Sequence, residues 1–301
     1  MEKNRLLLVL AALFWGIGFL GVEGALNSGW DTFAILFMRG IIAGILLLSL
    51  ACRYNKEWYK NKQMIRTSIL GGILMWLAFV LQIYGQKASS ISVASILTAL
   101  YVLFTPLIGS IFLKQKHHKH IYLACLVAFL AVVLTSYNGE TMSFGWGEIL
   151  LVICASISAL HILLIENLMV HQIALAGTGI QLITMAVCSL PLMLITGQRI
   201  QLVGLEYVLF LAIFCSGLAF FLQVYCQQHV PPAVASVILS FESIFGVIGA
   251  IILFAEPFTW QVVTACLLMI FAIWLSEYRK TVDSDFLLDI TDESDTDIAV
   301  D

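Results

Sequence analysis

The sequence has little charge and little proline, and its cysteines lack the paired spacing of a disulfide framework or a zinc site. Only 11% of its 301 residues are charged and five are proline, whereas an average soluble domain carries about a quarter charged residues. The seven cysteines all fall within or at the edge of apolar stretches and are interpreted as small core residues. With 61% hydrophobic residues, the chain is predicted to be an integral membrane protein.

Motifs for catalysis and for nucleotide hydrolysis are also missing. The sequence has no glycine-rich phosphate loop ending in Gly-Lys, so direct use of ATP is not expected. It has no HExxH, no GxSxG and no paired aspartates, so an enzyme is not expected either. The predicted partners are the lipid bilayer and a small-molecule substrate, without cofactor, metal or nucleic acid. Proton coupling and a homodimer are left open.

Ten apolar stretches are long enough to predict transmembrane helices, since a span needs about 20 mostly apolar residues. They lie at residues 5–26, 33–52, 66–86, 92–113, 120–137, 144–165, 173–196, 203–227, 232–254 and 258–276. The first stretch follows Lys3 and Arg5, but its apolar run is too long for a signal peptide and it has no small-residue cleavage pattern. It is therefore predicted to be a span.

The distribution of lysine and arginine predicts the orientation. If the amino terminus is cytoplasmic, twelve of the fifteen cations lie on the cytoplasmic side, while Lys87 and Arg199 lie on the other and Arg39 lies inside a span. Because cytoplasmic loops carry the excess of lysine and arginine, both termini are predicted to be cytoplasmic, in a bacterial-type inner membrane. Residues 279–301 include a run with eight carboxylates and no cation, which predicts a disordered tail or, alternatively, a partner-binding one.

The sequence repeats itself at an offset of 141 residues. Residues 78–111 and 219–252 share eleven identities in 34 ungapped positions, including AFVLQIYGQ against AFFLQVYCQ. With five spans in each half, the second copy must enter the membrane from the opposite side. Inverted repeats of this kind are typical of secondary transporters, whose substrate site lies near the bilayer midplane between the halves.

Four segments in this order, ALFWGIGF (12–19), FMRG (37–40), ILTALYVLFTPLIG (96–109) and the stretch from LAFFLQVYCQ to FAEP (218–257), resemble EamA-type members of the drug/metabolite transporter superfamily. The resemblance covers residues 5–276. It implies an all-α polytopic membrane protein of ten helices in two inverted five-helix repeats, at 1–137 and 138–278, and the movement of small organic solutes.

The inverted repeat and the buried Glu242 lead to a hypothesis about function, with two alternatives. The leading hypothesis is a secondary transporter of small metabolites, such as amino acids or amphiphilic or cationic solutes, working as an exporter by alternating access. The first alternative is an uptake or exchange carrier for a nucleotide-linked or sulfonium metabolite such as S-adenosylmethionine. The second is a membrane receptor or assembly factor that does not transport.

Glu242 is the leading candidate for the substrate site. It lies about ten residues into its span, which at about 1.5 Å per residue places it about 15 Å deep, near the bilayer centre. A carboxylate there must face the bundle interior or a wet cavity. It either binds an amine, a cation or a proton, or holds the halves together through hydrogen bonds. The repeat offset places Tyr101 opposite Glu242, although an intramembrane tyrosine is more often a packing residue.

Arg39 is the single cation inside a span and needs a partner there. An ion pair with Glu23 or Glu148 is favoured over direct substrate binding. If Arg39 does bind the solute, the solute carries a carboxylate.

The other candidates for the cavity wall are amides and aromatic residues. The pair Gln82 and Gln223 lines the pore or staples helices, whereas Gln86 and Gln227 are favoured as staples. Trp15 and Phe19 could form an aromatic-lined cavity with Tyr84 and Tyr225, although bundle packing is the favoured interpretation. Trp15 is included because its position matches the Trp-Gly element of the family that the sequence resembles. His161 is interpreted as a hydrogen-bonded core residue or a proton carrier. The complete set of predicted substrate-binding residues is Glu242, Tyr101, Gln82, Gln223, Trp15, Tyr84, Tyr225, Arg39 and His161.

Two helices are predicted to bend near the same depth. Pro106 lies in the fourth span, where its ring removes one backbone hydrogen bond and clashes with the carbonyl four residues earlier. The matching position of the ninth span is Val247, next to Gly246. Bent helices near a midplane site suit alternating access.

Overall fold

A computed structural model describes residues 2–54, 57–114, 119–135, 145–168, 174–272 and 274–275. The predicted acidic tail at 279–301 lies outside these residues. Within the described part the chain is helical and contains no strand, as an all-α membrane protein requires.

The helices follow the chain in two series. The first series is α1 (Glu2–Asn27), α2 (Thr32–Tyr54), α3 (Lys62–Lys87), α4 (Ile91–Thr98), α5 (Tyr101–Phe112) and α6 (Lys119–Thr135), with a short 3₁₀ turn at Trp58–Lys60. The second series begins with α7 (Trp146–Leu168), α8 (Ala174–Ile195) and α9 (Leu205–Phe210), which continues through a π-helical segment (Leu211–Leu218) into α10 (Ala219–Gln227). It then runs through α11 (Pro232–Leu239), α12 (Glu242–Phe254) and α13 (Trp260–Ala272).

Eight helical stretches in the described residues are long and apolar enough to cross a bilayer. Two of them, Ile91–Phe112 and Pro232–Phe254, each consist of two consecutive helices. The stretches predicted at 120–137 and 258–276 correspond to the shorter apolar helices Lys119–Ala131 and Trp260–Ala272. The chain is thus a polytopic membrane protein, while the count of ten spans stays a prediction.

The surface of the outer helices is apolar, as a lipid-facing surface must be. Leu126 and Phe129 of α6 and Leu267 and Ile270 of α13 are all exposed. Contiguous apolar surface of this kind would be a liability in water, whereas hydrocarbon is its natural solvent.

Two spans are broken at equivalent positions. The fourth is interrupted at Ala99–Leu100, between α4 and α5, and the span of the second repeat is interrupted 141 residues later, between α11 and α12. The backbone bonds match as well, because Leu100 N donates to Leu97 O at 3.2 Å and Phe241 N donates to Ile238 O at 3.3 Å. These breaks are not the bend predicted from proline. Pro106 lies inside α5, and the second repeat breaks without a proline there.

The two repeats interlock instead of forming separate bundles. Helix α1 packs against α10, α11 and α12 of the second repeat, and in the reciprocal arrangement α7 packs against α3, α4 and α5 of the first. Helices α2 and α8, the second of each repeat, pack along each other. A Cβ atom on Gly40 of α2 would lie 2.6 Å from Leu182 O of α8, so this contact depends on small residues, as is common between membrane helices.

The amides predicted to staple helices do so. Gln86 Nε2 donates to Phe19 O at 2.9 Å and to Glu23 Oε2 at 3.2 Å, which joins α3 to α1. Gln227 Nε2 donates to Ile162 O at 3.4 Å, which joins α10 to α7. The same contact is therefore made once in each repeat.

Candidate functional site

A cavity lies where the interlocked helices meet the two broken spans. It encloses about 680 Å³ of space between atoms, including the part that opens outwards. Its wall is formed by Trp15, Gly18, Phe19, Val22, Arg39, Met75, Ala78, Phe79, Gln82, Thr98, Tyr101, Ser158, His161, Ile162, Cys215, Phe220, Gln223 and Glu242. Seven of the nine predicted substrate-binding residues are in this wall.

Tyr101 and Glu242 enter the cavity at the two helix breaks. Each is the first residue of the half-helix that follows the break, so the repeat places a phenol and a carboxyl group at equivalent positions. Both residues are buried and their polar ends are neighbours. Apart from this contact with each other, neither Tyr101 Oη nor Glu242 Oε1 has a hydrogen-bond partner among the described residues. Half-helix termini of this kind form the substrate and ion sites of many transporters.

Arg39 reaches the cavity from α2 without an acidic partner. Its Nε donates to Ser216 Oγ at 3.0 Å, and its guanidinium lies 4.3 Å above the ring centroid of Phe79. The predicted ion pair is wrong. Glu23 accepts from Gln86, Glu148 accepts from the backbone of Gly145, and no carboxylate among the described residues lies within ion-pair distance of Arg39. Within the described residues, the guanidinium contacts this hydroxyl and this aromatic face, and no carboxylate there neutralises its charge.

The π-helical segment positions one wall of the cavity. In a π-helix the backbone bonds span five residues, and Ala219 N donates to Phe214 O accordingly. This turn presents Cys215 O to Trp15 Nε1 at 3.0 Å, while the Cys215 thiol donates to Phe14 O at 3.0 Å. Trp15 is thus held across the repeats. The equivalent residues 70–77 of the first repeat lie in the uninterrupted helix α3, so the repeats differ here.

Phe79 and Phe220 form an aromatic wall that was not predicted. Their rings meet edge to face with centroids 5.7 Å apart, and the offset of 141 makes them equivalent residues of the two repeats. Phe220 also lies 4.7 Å from Trp15 and 6.0 Å from His161, measured between ring centroids. The repeated AF at 78–79 and 219–220 was the sequence signal that could have identified this pair.

Gln82, Gln223 and His161 add neutral polar groups. His161 Nε2 and Gln181 Oε1 are 2.6 Å apart, so the imidazole is a hydrogen-bonded interior residue that still lines the cavity. Gln223 is buried, and neither its Nε2 nor its Oε1 has a partner in the described part of the chain.

Tyr84 and Tyr225 lie outside the cavity, contrary to their predicted place in its wall. Each side chain is 39% exposed. Tyr84 packs near Phe33, and Tyr225 near Phe221. The reason is helical geometry, because residues two apart point to different sides of a helix. Gln82 and Gln223 face the cavity, so the tyrosines two positions later face away.

Several buried polar atoms of the cavity wall lack hydrogen-bond partners in the described structure. Buried polar atoms are normally hydrogen-bonded, yet Thr98 Oγ1, Tyr101 Oη, both amide atoms of Gln223 and Glu242 Oε1 lack partners in the described structure. All of these atoms belong to residues of one wall. No group of three or more His, Cys, Asp or Glu residues suited to a metal occurs in the described ranges.

Comparison with known proteins decides the family. The model of the EamA-like transporter family matches residues 4–137 and again residues 145–278. The chain belongs to the EamA-like transporter family. The resemblance noted in the sequence is thereby confirmed, and the two matches correspond to the two series of helices.

Relatives of this EamA-like transporter are similar over most of their length. One uncharacterized transporter of Archaeoglobus fulgidus is 27% identical over 260 residues, covering 84% of this chain and 78% of the relative. A second uncharacterized transporter of that organism is 23% identical over 281 residues, covering 91% and 98%. A solved crystal structure with 13% identity superposes with a TM-score of 0.71, over 92% of this chain and 96% of the other, which shows a shared fold.

Proposed function

We propose that this EamA-like transporter is a secondary transporter that exports a small zwitterionic metabolite by alternating access. The observation that carries the proposal is the charge arrangement of the cavity. Arg39 supplies a buried cation and Glu242 a buried carboxyl group, and neither is neutralised by a described residue of opposite charge. A solute with a carboxylate and an ammonium group would satisfy both.

The position of each group supports this assignment. Arg39 belongs to the first repeat and Glu242 to the second, so a zwitterion would bridge the halves that must move relative to each other. A planar guanidinium matches a carboxylate, since it presents several N–H donors in a fixed plane. Glu242 with the adjacent Tyr101 hydroxyl offers acceptors to an ammonium group.

The aromatic wall favours solutes with an apolar or cationic side group. Trp15, Phe79 and Phe220 present ring faces and edges next to the charged groups. A sulfonium-bearing amino acid is the second candidate on this ground, because aromatic faces attract cations. A phosphorylated or nucleotide-linked solute fits less well, since Arg39 is the one cationic side chain in the described wall.

Counterflow in proteoliposomes tests the proposal. Vesicles loaded with unlabelled zwitterionic amino acids should accumulate the labelled compound, and the zwitterion should compete better than matched amines or carboxylates that lack one charge. A protein that binds solutes, as seen by a shift in melting temperature, but never exchanges them would be a receptor. Equal competition by the amine-only analogue would show that Arg39 does not bind a carboxylate.

A further inference from the structure

One face of the molecule is tied together across the repeats by loop side chains. Trp30 Nε1 donates to Val203 O at 2.7 Å, and Gln201 Nε2 donates to Ser28 O at 2.8 Å. Both contacts join the α1–α2 connection of the first repeat to the segment before α9 in the second. The distribution of cations predicts that this is the external face.

A third contact at this face is made by Gln198, which follows α8. Its Oε1 accepts from the backbone N–H of Phe33 at 2.8 Å and of Ala34 at 3.2 Å. These groups belong to the first turn of α2, where the N–H donors have no partner within the helix. A residue of the second repeat therefore caps a helix of the first.

The fourth contact is made by Glu256, which follows α12. Its Oε1 accepts from Ile91 N at 2.8 Å and its Oε2 accepts from Ser92 N at 3.2 Å, in the first turn of α4. Its carboxylate faces the positive end of the helix dipole, and hydrogen bonds to a charged acceptor are stronger than neutral ones. Helix α4 begins at this cap and ends at the break before Tyr101, which lines the cavity. A movement of α4 at the cap would therefore also move the cavity wall.

The repeat cannot form the Glu256 contact a second time at the opposite face. At the offset of 141, Ile91 corresponds to Pro232, Ser92 to Ala233 and Glu256 to Gln115. Proline has no backbone N–H, so one of the two donors is absent, and the acceptor position holds a neutral amide. The sequence of the other repeat therefore has no equivalent of a carboxylate that binds two backbone N–H groups.

We propose that the protein rests with this face closed, and that Glu256 is the latch whose release from α4 opens the cavity there. The four contacts, which we name the loop clamp, are formed by Trp30, Gln198, Gln201 and Glu256 and their backbone partners. All join one repeat to the other, so relative motion of the repeats at this face must break them. The latch goes beyond the proposed function because it assigns the conformation of the protein without solute. Its role in transport depends on the proposed function.

Accessibility of a single cysteine tests the latch without any substrate. Thr98 lines the cavity and its Oγ1 has no partner among the described residues, so Thr98→Cys by itself removes no hydrogen bond. The seven native cysteines are replaced by serine, whose hydroxyl at position 215 can keep the bond to Phe14 O. A membrane-impermeant maleimide is applied to whole cells and to inverted vesicles. In this reporter chain without a substitution in the loop clamp, labelling from the clamped face should be slow.

Glu256→Gln should raise the labelling rate from the clamped face by about fivefold, because a neutral amide oxygen forms a weaker cap than a carboxylate. Gln198→Ala should act in the same direction. Glu206→Gln is the matched control, since Glu206 is an exposed carboxylate of α9 near the same face, and it should change nothing.

Three outcomes would overturn the latch. They are an equal rise from both faces, an unchanged rate in both Glu256→Gln and Gln198→Ala, and a rise in Gln198→Ala with none in Glu256→Gln. Melting temperatures of all variants are measured beside the labelling. Failure of counterflow with successful latch opening would refute the transport proposal alone, so the two proposals fail separately.

Discussion

Arg39 of the first repeat and Glu242 of the second line the same cavity, and neither has a partner of opposite charge among the described residues. Burying an ionisable group without a partner inside a membrane costs free energy, and this cavity contains two such groups. The cost is offset when a solute carries the complementary charges. Under the proposed function, the two residues would bind a zwitterion in one orientation.

Replacing Arg39 should weaken binding of a carboxylate-bearing solute. Arg39→Gln removes the cation and is expected to lower affinity by about 10- to 100-fold, in line with the loss of a charged hydrogen bond. Arg39→Lys keeps the charge but loses the Nε bond to Ser216 and the planar contact with Phe79, so it should restore affinity only in part. Affinity is measured by isothermal titration calorimetry.

The matched control for Arg39 is Arg199→Gln, an exposed cation in a loop. It should leave affinity unchanged. Equal affinities in Arg39→Gln and the unmodified protein, with normal melting temperature, would remove Arg39 from the site.

Glu242→Gln should flatten the pH dependence of transport, because a carboxyl group can take up and release a proton and an amide cannot. Expression should stay near normal, since the amide can still accept a hydrogen bond from the neighbouring Tyr101 hydroxyl. Counterflow at several pH values measures the effect, with Glu148→Gln as the control near a helix end. Loss of folded protein in Glu242→Gln would instead identify the carboxyl group as a structural element.

Phe220→Leu should change solute selectivity with little effect on the fold. The substitution removes the ring that contacts Trp15, Phe79 and His161, so solutes with cationic or aromatic side groups should lose affinity relative to small aliphatic ones. Competition assays with both classes measure the ratio. The neighbouring Phe221→Leu is the control because Phe221 is not part of the cavity wall. A parallel loss for every solute would argue for a packing role.

Gly16→Ala should lower the melting temperature. A Cβ atom at Gly16 would lie 2.5 Å from Phe245 Cβ and 2.7 Å from Glu242 O, so α1 would have to move away from α12. Overpacking of this kind typically costs about 1 to 3 kcal/mol. Gly177→Ala is the matched control in another helix, since its nearest neighbour is Ser68 Oγ at 3.4 Å. A Gly16→Ala protein as stable as the unmodified one would show that α1 can shift freely.

Much of the architecture could be predicted because bilayer thickness and helix geometry leave few solutions. Apolar stretches of sufficient length predicted the spans, and the repeat predicted that Tyr101 and Glu242 would be equivalent. The two shorter helices, α6 and α13, show the limit of this reasoning, since apolar composition alone does not set where a helix ends.

The details of the site were harder to predict because they depend on helix rotation and on contacts between distant segments. Tyr84 was placed in the wall although it lies two residues from Gln82, a spacing that helical geometry alone excludes. The partner of Arg39 could not be found by comparing depths in the membrane. Its hydrogen bond goes to Ser216 in a π-helical segment, and the apolar pattern of that segment does not distinguish it from an α-helix.

The interlocked packing of the repeats has a consequence for biosynthesis. Trp15 and the carbonyl it binds are 200 residues apart in the chain, which a ribosome needs about 10 to 40 s to traverse at about 5 to 20 residues per second. Throughout that interval the nascent early helices are already made while their partners are not. During this time Arg39 lacks the Ser216 hydroxyl as a hydrogen-bond partner. Its charge must therefore be solvated by interfacial water or stabilised by the membrane insertion machinery.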